Sequence, residues 1–349
     1  MAQKMRKILP WVLLVLAIGL GAALTRQSLR ARAARSSDPT ARVRGPNNLR
    51  VGIVGDVGTD LVVLAYERGL FEEAGLLIDL APIATHQKAV EELEKQDLDL
   101  AVLSDVPLAL MARRPEELGV IAVIGETKLD MTVITREDAG IQALADLKGK
   151  RLGIEDDVGE RYALDLLLAR NALTRADLTI VPLAANDVAG ALRRGEVAAV
   201  AEAFAEKRPS LRPLTRPTEE QVDRLAERGL VRLHHCLVAP RGILEKKRPL
   251  LLKTLGAILA AREALKSAPT ENAKLVGRVH RVPSSKVVQR WRRGSYSVTL
   301  GPSLLRGLEA HERWAKDQKS SDAGVTDWGR MMAPELLTEL NPTAVRLVR

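Results

Sequence analysis

The sequence predicts a two-lobed α/β protein: two doubly wound sheets joined by two chain crossovers, preceded by one N-terminal hydrophobic helix. Three observations carry this. Strand and helix signals alternate from Leu49 onward, and the alternation restarts near Arg151. The chain has 349 residues, room for about two domains. Apolar residues make up 46% of it and aromatics only 3%, so the core must be Leu, Val, Ile and Ala, which suits buried strands covered by helices.

Taken in order, residues 1–25 hold a signal anchor or signal peptide. Ile8 to Leu24 is an uncharged apolar run of 17 residues behind Lys4, Arg6 and Lys7. It is long for a signal-peptide core, short for a membrane span, and lacks a clear cleavage site directly after it, which favours an uncleaved anchor. Residues 26–47, rich in Arg, Ala and Ser with Pro39 and Pro46, read as a flexible basic tether. Here lies most of the formal net charge of +9. Residues 1–47 carry nine Lys and Arg and one acid, Asp38; the other 302 residues hold 44 basic and 43 acidic side chains. Basicity confined to one end points to a membrane and away from nucleic acid.

Strands are expected at Val51–Val54, Leu77–Ala81, Leu98–Leu103, Val120–Val123 and Met131–Thr135. Helices are expected at Leu61–Arg68, Lys88–Lys95 and Val106–Arg113. The pattern restarts with strand Arg151–Ile154 and helix Arg161–Asn171, whose Leu164, Leu167 and Leu168 share one face. Strand Leu178–Val181, helix Val188–Arg194 and strand Ala198–Ala201 follow. Then come a Pro- and Arg-rich loop at Arg208–Pro217, a helix at Glu219–Glu227, a return strand at Leu233–Val238 and a helical tail from Lys247. Lobe I is thus 48–134 plus 233–349 and lobe II is 135–232, with mostly parallel sheets and a ligand crevice between the lobes.

Ala65-Tyr66-Glu67-Arg68-Gly69-Leu70-Phe71-Glu72-Glu73-Ala74-Gly75-Leu76 resembles the G-L-F-x-x-x-G-L segment of one solute-binding family, that of nitrate, sulfonate, taurine and thiamine-precursor ABC importers. Leu147-Lys148-Gly149-Lys150-Arg151-Leu152-Gly153-Ile154 is similar to its L-K-G-K-x-x-G-V segment. Leu192 to Val200 is similar to L-x-x-G-E-V-D-A-V, with Ala198 in place of the Asp. The resemblance implies a periplasmic-binding-protein-like (type II) fold, permease and ATPase partners, and a monomer on the extracytoplasmic face of the membrane. That location rests on the resemblance, because Arg26, Arg30, Arg32, Arg35 and Arg42 follow the span and the positive-inside rule alone points the other way. The sequence departs from the family at Glu202-Ala203-Phe204-Ala205, where an aromatic-Pro pair is common. It departs again at Glu155 to Glu160, where a small neutral loop is common. One branch makes a thiamine pyrimidine with a Cys-rich motif, which a chain with Cys236 alone cannot carry.

Strand-to-helix junctions supply the ligand-binding candidates. In lobe I they are Asp56, Thr59, Thr85, His86, Ser104, Asp105, Glu126 and Lys128. In lobe II they are Asp156, Asp157, Glu160, Arg161, Tyr162, Asn186, Glu202 and Phe204. Side-chain oxygens at such junctions also cap helices. With Asp60 and Asp187 the set holds nine carboxylates against Lys128, Arg161 and His86, so an amine-bearing or polar neutral ligand is expected in preference to a small anion. His234-His235-Cys236 lies in a strand, where alternation sends His235 to the opposite face, so a metal site is not expected and core packing is. The spacing of Gly52, Gly55 and Gly58 does not match a dinucleotide fingerprint. There is no nucleophile elbow, zinc-protease motif or P-loop, and neither an enzyme nor a cofactor is expected. Two functions remain: an importer's solute-binding component, or a membrane-anchored sensory or scaffold module that kept the fold and lost transport.

Overall fold

The computed structural model describes residues 47–54, 57–112, 114–128, 131–184, 187–203, 211–215, 232–317 and 326–347. The N-terminal apolar run, the tether and the helix expected at Glu219–Glu227 lie outside them. Residues 49–349 form one compact unit. Among the described residues no helix is long and apolar enough to cross a membrane.

Lobe I begins with β1 (Asn48–Val54), α1 (Asp60–Glu67), α2 (Leu70–Glu73), β2 (Leu77–Ile83), α3 (His86–Glu94), β3 (Leu100–Ser104), α4 (Asp105–Met111) and β4 (Leu118–Lys128). Lobe II holds β5 (Met131–Arg136), β6 (Arg151–Glu155), α5 (Val158–Arg170), β7 (Thr179–Leu183), α6 (Val188–Arg193), β8 (Ala199–Ala203) and β9 (Leu211–Thr215). The chain returns through β10 (Arg232–Pro240) and continues with α7 (Arg241–Lys246), α8 (Arg248–Ser267), α9 (Pro269–His280), α10 (Ser284–Arg293), β11 (Gly294–Ser295), α11 (Pro302–Asp317) and α12 (Glu335–Leu340).

The lobe I sheet runs β11-β4-β10-β3-β1-β2, and the lobe II sheet β7-β6-β8-β5-β9. Both are mixed rather than mostly parallel. β1 and β3 are parallel, as are β6, β7 and β8, but β10 is antiparallel to β3 and β4, and β5 to β8 and β9. The reason is topological. β5 and β10 are the strands by which the chain arrives from the other lobe. They start at the end of their sheet where the parallel strands finish, and so run the opposite way. β5 therefore belongs to lobe II, and the second sheet opens at Met131 rather than after residue 134. The loop expected at Arg208–Pro217 contains β9, an edge strand, where Pro213 is tolerated because one side of the strand needs no ladder donor.

The central strands bury both faces, which is why they read as continuous apolar runs. All five residues of β3 are buried, as are Leu233 to Pro240 of β10. Gly69 and Gly75, the two fixed glycines of the Gly69-to-Leu76 segment, have φ of 72° and 74°. That left-handed backbone is strained for other residues; it turns α1 into α2, and α2 into β2. Phe71 between them is buried in the lobe I core, a burial worth roughly 1.5–3 kcal/mol.

Candidate functional site

The candidate residues sit where strands end and helices begin. In lobe I, Thr59 is fully buried at the end of a 3-10 turn before α1. Thr85 caps α3, its Oγ1 accepting from the backbone N–H of Lys88 at 3.2 Å, and His86 opens that helix. Ser104 ends β3 and Asp105 opens α4, both buried. Glu126 lies on β4 opposite His234 of β10, and Lys128 opposite Arg232. Asp56, Asn186 and Phe204 lie outside the described residues.

Asp105 is the electrostatic centre. It is 0% exposed. His234 Nδ1 lies 2.6 Å from its Oδ2, and His311 Nε2 of α11 lies 3.3 Å from the same oxygen. Burial alone would raise the carboxyl's pKa; the charges of His311 and His234 outweigh that and hold it well below the usual carboxylate range. Burial works against the His234 imidazolium too, but Asp105 and then Glu126 overcome it and raise its pKa. Glu126 is itself bonded by Arg232 at 2.6 Å. Tyr162 of lobe II stands edge-on to His311 and Trp314, with ring centroids 4.7 and 5.1 Å away. Burial and the Asp105 charge push its hydroxyl far up, so it stays neutral. The structure thus brings Asp105, Glu126 and Tyr162 together through partners not among the candidates. His234 is buried as expected of core packing, but as the hydrogen-bond partner of Asp105. His311 and Trp314 left no local sequence signal.

In lobe II, Asp157 caps α5, its Oδ1 accepting from Gly159 and Glu160 at 2.7 and 3.2 Å. Asp157→Ala is expected to cost about 1 kcal/mol of stability, read as a lowered urea midpoint; an unchanged midpoint would count against this cap. Arg161 pairs with Asp156. Asp187 is bound by Arg194 at 2.9 Å. Asp60 is locked by the C-terminal helices, Trp291 Nε1 donating to it at 2.7 Å. The carboxylates counted from sequence are therefore not an open negative field: Arg194 reaches Asp187 from the far end of the same helix, and Arg232, His234 and Trp291 reach Glu126, Asp105 and Asp60 from elements distant in sequence.

At Glu155 the charges of neighbouring carboxylates are felt directly. β6 and β8 run parallel with Ile154 opposite Ala201, so the next residues, Glu155 and Glu202, lie side by side at the same end of adjacent strands. Half-buried Glu155 has its pKa raised by burial, then by the charges of Asp157 and Glu202. Glu155 is not among the sequence candidates, because the run from Glu155 to Glu160 has the composition of a loop, whereas Glu155 ends strand β6. Cys236 is fully buried, and burial with the Asp105 and Glu126 charges raises its thiol far above the usual range, so it is no nucleophile.

The family model described as "NMT1/THI5 like" matches residues 60–272. A Brucella abortus protein named as a binding protein is 27% identical over 150 residues, 43% of this chain and 46% of that one, so the match spans about half the relative's length. The periplasmic aliphatic sulphonate binding protein SsuA of Escherichia coli superposes with a TM-score of 0.65 at 18% identity, covering 82% of this chain and 97% of that one. The desulfurization enzyme DszB gives 0.66 at 18% identity, covering 85% and 99%. These likenesses establish the periplasmic-binding-protein-like fold that the family resemblance of the Ala65–Leu76 and Leu147–Ile154 segments implied. The family match runs through both lobes and more than half of the sequence, and the chain belongs to the NMT1/THI5-like family.

Proposed function

We propose that this chain is the solute-binding component of an ABC importer, closing its two lobes over a small organic molecule that is amine-bearing, or polar and neutral, rather than a small anion. The observation that carries the ligand class is the Glu155, Asp157 and Glu202 group at the crevice ends of β6 and β8. Like charges that already raise the proton affinity of Glu155 disfavour a sulfonate or nitrate beside it. An ammonium or protonated heterocycle relieves them and forms charge-assisted hydrogen bonds. The fold supports the mechanism, since two lobes joined by crossing strands close as hinged bodies. Permease and ATPase partners, an extracytoplasmic location and the N-terminal tether to the membrane belong to the same reading. The buried, protonated Cys236 supports a binding role over a thiol-based enzyme.

A thermal-shift screen tests the ligand class. Taurine, an alkanesulfonate and nitrate are compared with amines and aminopyrimidines, on the wild type and on a Glu155→Gln, Glu202→Gln double variant. An amine or aminopyrimidine is expected to raise the wild-type Tm and not that of the variant. Stabilisation of both proteins by a sulfonate or nitrate would overturn the ligand class. Silence from every compound would favour the sensory or scaffold function.

A further inference from the structure

Helix α11 belongs by chain order to lobe I, yet its inner face grips lobe II. Tyr162 of α5 packs edge-on against His311 and Trp314. Less than one turn along α5, Asp165 Oδ2 accepts from Trp314 Nε1 at 2.9 Å, and its Oδ1 is held by Arg175 at 2.5 Å. Trp314 also packs on the lobe II core, a cluster that includes Val106 of α4. Behind this contact lies the buried Asp105–His234 pair, and α11 is pressed onto it. A Cβ built on Gly307 would stand 2.9 Å from Asp105 Oδ2 and 3.4 Å from the His234 ring. His311, one turn on from Gly307, touches both Asp105 and Tyr162. One helix therefore joins a buried ion pair of lobe I to the aromatic face of lobe II.

We propose that α11 is a clasp between the lobes whose hold depends on the charge of the Asp105–His234 pair, so that closure weakens as pH rises. This rests on the reading that the lobes open and close. Opening withdraws Tyr162 and Trp314 and lets water reach His311 and the pair behind it. In water the attraction of Asp105 for a protonated imidazole is screened, so the open form holds that proton less tightly than the closed form. The groups facing the pair are Glu126 of β4, Arg232 and Cys236 of β10, His311 of α11 and Tyr162 of α5, which in turn feels the Arg313 charge; the Cys236 thiol is raised far above its usual range. Glu126 is bonded to Arg232, and Tyr162 is held neutral. The imidazoles are the members of this set whose ordinary range falls between about pH 5 and 8. His234 is raised in the closed form, so its contribution to closure is complete below its ordinary value of 6.5 and is lost as pH climbs through the raised value.

The test needs no solute, so it can fail while solute binding stands, and the reverse. Spin labels are placed at Lys95→Cys, after α3, and Ala169→Cys, near the end of α5, in the full chain in detergent; buried Cys236 stays unlabelled. Interlobe distances are read by double electron–electron resonance at about pH 6 and about pH 9. The wild type is expected to show one short-distance population at the lower pH and a longer one that grows at the higher pH. Asp105→Asn is expected to give the same distribution at both. Superimposable wild-type distributions would overturn the proposal, as would pH dependence that survives unchanged in Asp105→Asn. Should that variant not fold, Trp314→Phe, which loses the Asp165 bond but keeps the ring, serves instead. Its longer population is expected already at the lower pH, and a wild-type distribution there overturns the clasp.

Discussion

Asp105→Ala is expected to destabilise the protein by about 3–5 kcal/mol, the cost of leaving a buried charge without its partner. Asp105 is 0% exposed, and its Oδ2 faces His234 at 2.6 Å and His311 at 3.3 Å. Removing the carboxylate strands the His234 proton among buried groups and opens a gap against α11. Asp105→Asn keeps the shape and one hydrogen bond and is expected to cost less. Stability against pH separates charge from shape. The Asp105 carboxyl is depressed, so its stabilisation is present above the ordinary value of 3.8 and is lost as pH falls. His234 is raised, so its stabilisation is present below 6.5 and is lost as pH rises. The wild type should therefore be most stable between these values, and both flanks should flatten in Asp105→Asn. Urea midpoints across pH measure this. An Asp105→Ala protein within about 1 kcal/mol of the wild type would contradict the account of the pair.

Asp60→Ala should be comparably costly, about 3–5 kcal/mol, for a related reason. Asp60 opens α1 and is fully buried. Its Oδ2 accepts from Trp291 Nε1 at 2.7 Å and from the Tyr296 hydroxyl at 3.2 Å. Its Oδ1 lies 3.1 Å from His280 Nε2 and 3.7 Å from Arg290. These partners sit at the end of α9, on α10 and just after β11, so one carboxylate holds the C-terminal helices to the first helix of the chain. Trp291→Phe removes a single donor to that charge and should cost less, about 1.5–3 kcal/mol. Hydrogen exchange should show α9 and α10 losing protection first in Asp60→Ala, ahead of the lobe II sheet. Uniform loss, or none, would show that Asp60 does not hold these helices.

Both carboxylates illustrate what could be read in advance. Asp60 and Asp105 were visible as acids at strand-to-helix junctions, because an apolar run followed by a helical period marks such junctions. Their partners were not visible, because His234 lies 129 residues from Asp105 and Trp291 lies 231 from Asp60. Local pattern says which residues open a helix but not which distant side chain meets them. Asp157 shows the favourable case, since its cap on α5 is made within three residues. β9 shows the opposite failure: Pro213 and neighbouring arginines mask a strand defined only by its pairing with β5. The two lobes were legible from the restart at Arg151. The antiparallel entry of β5 and β10 was not, because strand direction follows from where the chain crosses between lobes.

The most direct test of the proposed function is calorimetric titration of the protein with the best amine from the screen, alongside taurine and nitrate. The account predicts one-site micromolar binding of the amine. It further predicts weakening by roughly tenfold to a hundredfold in the Glu155→Gln, Glu202→Gln variant, the scale of a charged hydrogen bond lost. Micromolar binding of taurine or nitrate, indifferent to the same two substitutions, would contradict it.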